Sequence, residues 1–447
     1  MINVQGAKQE KLQASCLPLG SQNNVYKLAN SSNQFDLRLL DQITSTYDGN
    51  IILSSLSVVS VLSMVLLGAK GDTKEEMKMA LALPCNKDDL SQSETMFFTN
   101  YKAAHDALQV RIFGYVKFTK KSMLHIFQSN DVKLESANKV YIDNHYQLKQ
   151  EYSSNIAKYF SSQPDLMDFV NQPEASRQQI NQWVASKTNN KIEDLLASGS
   201  VSSATKMILV NAIYFKGKWL YQFDERNTNK NGEFILESGE VVTVPMMNIE
   251  TELQSGELPS KFFFLLFDFN KKKYFKIVFV DKLGHVLKLP YEGKRLSMYI
   301  VAPTLESNTN KLFESLVNSE VEGFDHLLES PTSTSLQMPK FKLEKDYKLK
   351  NHLSNMGLGS LFSPYSADLT GFNDLGQTLA IDDVVQKAFI EVNEEGTEAA
   401  AATGIIMRTS MNPKQKHFVL NRPFWFFIRD SKTDLNLFSG RVANPKT

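Results

Sequence analysis

The stretch between Glu391 and Leu420 has small, uncharged residues at alternate positions, a spacing that would allow one face of a strand to be buried. It reads EVNEEGTEAAAATGIIMRTSMNPKQKHFVL, with small, uncharged side chains at every second position, namely Thr397, Ala399, Ala401 and Thr403. Alternate residues of a β-strand share one face, so this face could be buried against a core without burying a charge. The alanine run by itself favours a helix instead. The flanking sequence decides between these two interpretations.

The chain shows no local motif of a catalytic centre. HExxH, GxSxG, CxxC and a glycine-rich phosphate loop ending in GKS or GKT are absent, and the 7 histidines have no metal-ligand spacing. Triads assemble from distant positions, so this search excludes local motifs only. We predict no catalytic residue, no metal site and no cofactor, and we expect that the protein is not an enzyme.

Composition indicates an ordinary globular protein. Of 447 residues, 42% are hydrophobic and 22% are charged, and 49 basic residues balance 49 acidic ones. A balanced net charge favours neither a nucleic acid nor an anionic membrane as partner. At this length the chain could hold two or three average domains, but large mixed folds also run this long as one unit. We expect one such domain that is monomeric, by the family resemblance described below.

Cysteine content does not decide the compartment. Cys16 and Cys85 are too few for a disulfide framework, and no signal peptide can be read at the N-terminus. Asn30 begins a glycosylation sequon that matters only in a secreted chain. We expect an extracellular protein, by the family resemblance described below, with a cytoplasmic one as the alternative.

Periodicity predicts the elements that must position the C-terminal stretch. Residues 33–43 have helical spacing after a flexible arm at residues 1–30, and residues 49–69 form a long uncharged segment. Serines within that segment favour a buried helix over a membrane span. Further predicted elements are a helix with its following turn at 177–196, a long buried strand entering a turn at 206–224, and strands at 137–143, 241–247, 285–293 and 296–303.

Three motifs in the C-terminal part carry a family resemblance. The hinge EEGTEAA, the block NRPF and the terminal GRVANP stand in the order and at about the spacing of the serpins. The chain thus resembles an inhibitory, invertebrate-like serpin over roughly residues 33–445. The resemblance implies an α+β fold with three β-sheets, eight to nine helices and an exposed C-terminal reactive loop.

The resemblance also implies a mechanism. A serine protease would cut the loop as a suicide substrate, and the hinge would then enter the central sheet as a new strand while the acyl-enzyme stays covalently attached. The hinge residues would be Glu394, Glu395, Gly396, Thr397, Glu398, Ala399, Ala400, Ala401 and Ala402. A charge on the inward face would be buried unpaired, at a cost of several kcal/mol.

Non-inhibitory relatives tend to carry bulky, charged or proline residues there. A non-inhibitory carrier, chaperone or storage protein is the alternative, and whether a polyanion assists stays open.

The sheet-opening region is also implied by the resemblance. Its residues would be Ser54, Ser57, Asn211, Trp219 and Gln386. Ser55 stands where the family usually has proline, and Gln386 stands where histidine is usual. Because glutamine still forms hydrogen bonds, we expect an altered opening equilibrium and not a lost one.

Two stretches interrupt the resemblance, at residues 110–128 and 260–280. Both are rich in residues with AT-rich codons, and their ends can be encoded by splice donor and acceptor sequences. Deleting either one restores the family spacing. We interpret them as retained introns within a single domain spanning residues 31–447, with genuine insertions as the alternative.

We expect the bond that a protease cuts to lie within residues 394–420. Two arguments disagree about which bond this is. Counting along the hinge from Glu394 places it between Ser410 and Met411. A trypsin-like protease would prefer Arg408–Thr409, since such enzymes hold a basic side chain in an acidic pocket. We predict Ser410–Met411 and an elastase- or chymotrypsin-like target.

Overall fold

The computed structural model describes residues 24–83, 90–112, 132–259, 267–268, 273–274, 282–318, 323–373, 378–397 and 415–446. These residues form eight α-helices: α1 (Asn24–Thr44), α2 (Ser55–Leu66), α3 (Gly71–Ala80), α4 (Leu90–Ile112), α5 (Gln150–Phe160), α6 (Pro173–Lys187), α7 (Thr309–Asn318) and α8 (Lys350–Leu353). No helix in the described ranges is long and apolar enough to cross a membrane.

A six-stranded sheet contains the hinge. Its strands, in chain order, are β2 (Val132–Asp143), β3 (Asp165–Met167), β4 (Met207–Lys218), β12 (Phe341–Lys348), β13 (Asp383–Val392) and β14 (Gly396–Thr397). Their spatial order is β12-β13-β14-β4-β2-β3, and β13 also pairs directly with β4 in parallel. The short β14 therefore lies between β13 and β4 at one end only, and below it these two strands close on each other.

The remaining strands form a second, larger sheet and a small hairpin. The larger sheet contains β1 (Ile51–Leu53), β5 (Asn229–Ile235), β6 (Val241–Pro259), β9 (Lys282–Pro290), β10 (Leu296–Pro303), β11 (Thr332–Pro339), β15 (Lys416–Val419), β16 (Phe424–Asp430) and β17 (Asn436–Val442). Strand β6 is 19 residues long and pairs with β9 along one part and with β5 and β11 along another. It thereby joins two smaller sheets, so the predicted α+β fold with three sheets is confirmed. The hairpin pairs β7 (Phe267–Asp268) with β8 (Lys273–Tyr274).

The apolar core has two parts, one on each face of the six-stranded sheet. Helix α2 packs against β2 and β4, and its buried valines and leucines belong to the main core. On the opposite face, Ile180 and Val184 of α6 pack with Ile208 and Val210 of β4. Alternate residues of β4 thus face different cores, as the pleat of a strand requires.

Most predicted elements lie near their expected positions, with different ends. Helix α1 begins at Asn24, within the stretch expected to be an arm, and residues 1–23 lie outside the described part of the chain. The segment at 49–69 contains strand β1 and the buried helix α2, as expected. Most of the two suspected introns also lies outside the described residues.

Candidate functional site

Gln386 connects the two strands that would separate if the sheet opened. It lies in β13 directly opposite Asn211 of β4, and its Nε2 donates to the Asn211 Oδ1 at 2.5 Å. The same nitrogen donates to the carbonyl oxygen of Ser54 at 2.8 Å, and the Ser54 backbone N–H donates to Gln386 Oε1 at 3.3 Å. All three residues are fully buried, so these hydrogen bonds lie away from water.

Ser54 and Ser57 lie below this contact, where α2 begins. The Ser54 hydroxyl donates to Ser57 Oγ at 3.1 Å, and Asn211 donates from its other side to Asn138 of β2. The structure therefore brings together four of the five residues predicted for sheet opening. The sequence analysis did not identify Asn138, because strand periodicity does not show which polar residues meet across strands.

Ser55, the residue that replaces the usual proline, donates to the buried carboxylate of Asp36 at 2.6 Å. Asn436 donates to the other oxygen at 3.0 Å, and Ser439 donates to that oxygen as well. Burial raises the pKa of Asp36 above 3.8, while these hydrogen bonds act in the opposite direction. The serine at this position thus supports a buried carboxylate that a proline would leave with one donor fewer.

The hinge enters the sheet at Gly396 and Thr397. Thr397 pairs with Val392 of β13 on one side and with Gly217 of β4 on the other, both antiparallel. Gly396 has a φ of 154°, and a Cβ atom there would lie 2.1 Å from the carbonyl oxygen of Gly217. Only glycine therefore fits at this point of entry.

Tyr291 holds the first small hinge side chain. Its hydroxyl lies 3.0 Å from the hydroxyl of Thr397, and Thr397 has an exposed fraction of 0%. The Tyr291 ring stacks on Trp219 with centroids 4.5 Å apart and lies edge-on to Phe215. Burial raises the pKa of Tyr291 well above its usual range, so the phenol keeps its proton and can donate.

Trp219, the fifth predicted sheet-opening residue, hydrogen-bonds to the backbone of the hinge and is not part of the hydrogen-bond cluster around Gln386. Its indole nitrogen donates to the carbonyl oxygen of Asn393 at 3.0 Å, and its backbone N–H donates to that of Glu395 at 2.8 Å. Trp219 therefore lies at the point where the hinge enters the sheet. Tyr291 and Asn393 were missed, because neither residue stands out by pattern.

Glu394 anchors the start of the hinge by charge. Lys340 approaches its carboxylate to 2.7 Å, and Thr228 donates to Oε1 at 2.7 Å. Burial by itself raises the pKa of Glu394, but the hydrogen bonds from Lys340 and Thr228 outweigh this and lower it below 4.5. The next residue, Glu395, is also buried, and its Oε2 has no hydrogen-bond partner within the described structure.

The rest of the predicted site lies outside the described residues. This holds for hinge residues Glu398, Ala399, Ala400, Ala401 and Ala402 and for both candidate cleavage sites, at residues 408–411. Within the described ranges, no group of three or more His, Cys, Asp or Glu side chains could hold a metal ion.

Comparisons with known proteins show which family the chain belongs to. The family model for serpins, described as serine protease inhibitors, matches residues 30–445. The chain is 35% identical to human Serpin B4 over 94% of this chain and 99% of the relative. It is 34% identical to the leukocyte elastase inhibitor of Xenopus tropicalis over 92% of this chain and 97% of that protein.

Solved structures show the same fold. Serpin48 of the insect Tenebrio molitor, a highly specific serpin, matches with a TM-score of 0.73 and 25% identity over 94% of this chain and 98% of its own. Mouse protein-Z dependent protease inhibitor matches with a TM-score of 0.74 and 27% identity over 94% of this chain and 98% of its own. The chain belongs to the serpin family.

Proposed function

We propose that this protein inhibits a serine protease as a suicide substrate, by inserting its cleaved loop between β4 and β13. The observation that carries this proposal is the position of the hinge at the upper end of the seam between these strands, where Gly396 already pairs with β4 and Thr397 with both β4 and β13. The new strand therefore has a starting point and a register before any bond is cut.

The register can be continued residue by residue. Each step forward along the loop moves one step back along both β4 and β13, so Ala399 and Ala401 would lie opposite Phe215 and Ile213. Both partners belong to the main core, as does Val392 beside Thr397. The inward positions of the loop thus carry the small, uncharged side chains that burial there requires.

In the same register, Thr403 would lie between Asn211 and Gln386. Insertion separates these two side chains and breaks the hydrogen bond between them. A threonine hydroxyl can donate one hydrogen bond and accept others, so it can serve both amides. The polar contact that closes the seam is therefore replaced and not lost.

The chemistry belongs to the protease. Its serine oxygen attacks the carbonyl carbon of Ser410, the C–N bond breaks, and the amine of Met411 leaves with a proton from the protease's general base. Insertion then advances the acylated residue by about 3.3 Å per residue, or roughly 40 Å from Thr397 to Ser410. Dragging the enzyme distorts its oxyanion hole and stops deacylation.

Cleavage at Ser410–Met411 gives the longer inserted strand. Cleavage at Arg408–Thr409 would shorten the travel by roughly 7 Å, with a greater chance of releasing an undistorted enzyme. Arg408→Ala separates the two sites. If Ser410–Met411 is cut, the number of inhibitor molecules consumed per protease stays near the wild-type value. Loss of inhibition towards every trypsin-like enzyme, with no other target, would assign Arg408–Thr409.

A protease panel tests the proposal. Trypsin-, chymotrypsin- and elastase-like enzymes are each incubated with the protein, covalent complexes are detected on SDS gels, and the cut bond is mapped by mass spectrometry. Thr397→Arg should be cleaved without forming a complex, because the arginine would be buried against the main core at a cost on the order of several kcal/mol.

Glu398→Arg is the matched control for Thr397→Arg. Position 398 would face the opposite side of the sheet beside Lys216 and Glu391, where an arginine can find a carboxylate. This variant should retain the complex. Cleavage without complex by every enzyme of the panel would instead favour a non-inhibitory role.

We also propose that the protein acts outside the cell as a monomer, with the protease as its partner. These proposals rest on the inhibitory type of hinge, EEGTEAA. Detection of the protein in the medium of the cells that express it, and its mass by light scattering, test the two statements separately.

A further inference from the structure

A cavity of about 370 Å³ lies at the lower end of the seam between β4 and β13, far from the hinge. It is lined by Asp143, His145, Tyr146, Val170, Lys206 and Thr378. Asp143 ends β2, and its backbone N–H donates to the carbonyl oxygen of Lys206 at 2.9 Å, just before β4 begins. The cavity therefore lies where an inserted strand would finish.

Asp143 has an unsatisfied oxygen. Its exposed fraction is 0%, and its Oδ1 accepts from the His145 backbone N–H at 3.1 Å and contacts His145 Nδ1 at 2.7 Å. Its Oδ2 is buried and has no hydrogen-bond partner in the described part of the chain. A buried carboxylate oxygen without a donor is unfavourable, so it marks a place where a donor would be gained.

A second carboxylate, that of Asp382, holds the lower end of the seam closed. Asp382 precedes β13, and its Oδ2 accepts from the backbone N–H groups of Lys206 and Met207 at 2.6 Å and 3.0 Å. These bonds bridge the seam, so separating β4 from β13 would remove both donors.

We propose that Asp143 forms the receptor for the guanidinium of Arg408 after the loop has been cut and inserted. This inference rests on the proposed function. Continuing the register from Gly396 and Thr397 places Met407 opposite Met207 and Arg408 opposite Lys206.

Side chains alternate between the two faces of a strand, and this alternation would put Arg408 on the same face as Asp143. Thr397 faces the main core, where it contacts Tyr291, so Arg408 of an inserted loop would face the other side of the sheet, towards α6. Asp143 and Lys206 share that face. Tyr141 of β2 pairs with Ile208 of β4 on the α6 side of the sheet, and the same register, continued by two residues, places Asp143 opposite Lys206. Asp143 is then two strands from Arg408, or about 10 Å between backbones, a gap that two extended side chains can bridge.

Charge also fits this assignment. Between residues 398 and 413, Arg408 is the only cation and Glu398 the only anion. Guanidinium has five donors in a planar fork and binds carboxylates in a bidentate manner. Lys206 lines the same cavity but is only partly buried, so its flexible side chain can move towards solvent. Arg408 would therefore stabilise the inserted state instead of defining protease specificity.

The test compares the melting temperature of the full-length protein before and after a single cut C-terminal to Arg408, so that Arg408 stays on the inserted segment. Mass spectrometry verifies the position of the cut. Arg408→Ala and Asp143→Asn should each lower the melting temperature of the cleaved protein by about 2 °C. The double variant should melt no lower than either single one, because both remove the same interaction. In the uncut protein neither variant should melt lower than the wild type. For Asp143→Asn the reason is that the side-chain oxygen can still accept from the backbone N–H of His145.

Thr409→Ala is the matched loop control and should leave the cleaved protein unchanged. Cleaved Arg408→Ala melting like the cleaved wild type, while cutting still raises the melting temperature of both, would overturn the receptor and leave insertion intact. No rise on cutting the wild type would instead contradict insertion itself. Additive losses in the double variant would also reject the pairing of Arg408 with Asp143.

Discussion

The hydroxyl groups of Tyr291 and Thr397 lie 3.0 Å apart in the buried interior, and this contact links the end of β9 to the hinge in the six-stranded sheet. It holds the first inward-facing hinge residue in place before the loop is cut. The depth to which the hinge has entered thus depends on a residue 106 positions away in the sequence.

Removing this contact should loosen the hinge. Tyr291→Phe keeps the ring that stacks on Trp219 but leaves the Thr397 hydroxyl buried without its partner, at a cost of about 1–2 kcal/mol. Hydrogen exchange should become faster in the peptide spanning residues 391–397. Tyr221→Phe changes an exposed tyrosine and is the control. Equal exchange in wild type and Tyr291→Phe would show that the hydroxyl does not hold the hinge.

The ion pair of Glu394 with Lys340 predicts a pH dependence. The folded-state pKa of Glu394 is lowered, so its contribution to stability is present above about pH 4.5 and is lost as the pH falls through the depressed value. Glu394→Gln should cost about 1 kcal/mol at pH 7, since Lys340 is partly exposed, and should flatten the acid side of the profile.

Urea unfolding between pH 3 and pH 7 measures this effect. Glu240→Gln, which changes an exposed carboxylate in the turn between β5 and β6, should reproduce the wild-type profile. If Glu394→Gln lost stability on acidification as steeply as the wild type, Glu394 would not be the titrating group.

Sequence reasoning predicted the hinge and five sheet-opening residues from short motifs and their order, and the structure brings four of those five together. It did not reveal that Thr397 is already buried, since this depends on the position of the Tyr291 hydroxyl in the folded chain. It also treated Ser55 as a mere departure from the family. The carboxylate of Asp36 that Ser55 binds belongs to another helix, and helical periodicity gives no sign of that contact.

Ser55→Pro tests the role of this serine. Proline is favoured at the first position of a helix and would contribute about 0.4–1 kcal/mol, whereas losing the hydrogen bond to Asp36 costs about 1.5–3 kcal/mol. We expect a stability order of wild type, then Ser55→Pro, then Ser55→Ala in urea unfolding. A Ser55→Pro protein as stable as wild type would rule out an important role for the hydrogen bond.

The pH dependence of the same variants has a defined sign. The folded-state pKa of Asp36 is raised above 3.8, so folding is favoured at low pH and this contribution is lost as the pH rises through the raised value. Ser55→Ala removes one hydrogen bond that lowers this pKa. The variant should therefore lose more stability than wild type between pH 4 and neutral pH.

The segment at residues 260–280 should be dispensable. Strand β6 ends at Pro259 and β9 begins at Lys282, and these two residues are paired, as are Leu258 and Gly284. The strand ends thus already lie side by side. Joining Pro259 to Asp281 opens the Pro259–Lys282 pair and leaves a hairpin loop of four residues between the paired Leu258 and Gly284. Deleting 260–280 should keep the melting temperature and the protease reaction. A deletion variant that fails to fold, or mature cDNA that encodes the segment, would contradict its interpretation as a retained intron.

Insertion in one fixed register is most directly tested by a cysteine pair. The register set by Gly396 and Thr397 places Ala402 opposite Ala212 after insertion, so Ala212→Cys and Ala402→Cys are combined with Cys16→Ser and Cys85→Ser. We predict that this disulfide forms after the loop is cut and not before, and that Ala400→Cys with Ala212→Cys, which lies two residues out of register, forms none. Equal cross-linking before and after cutting, or only in the shifted pair, would contradict insertion of the loop as the strand between β4 and β13.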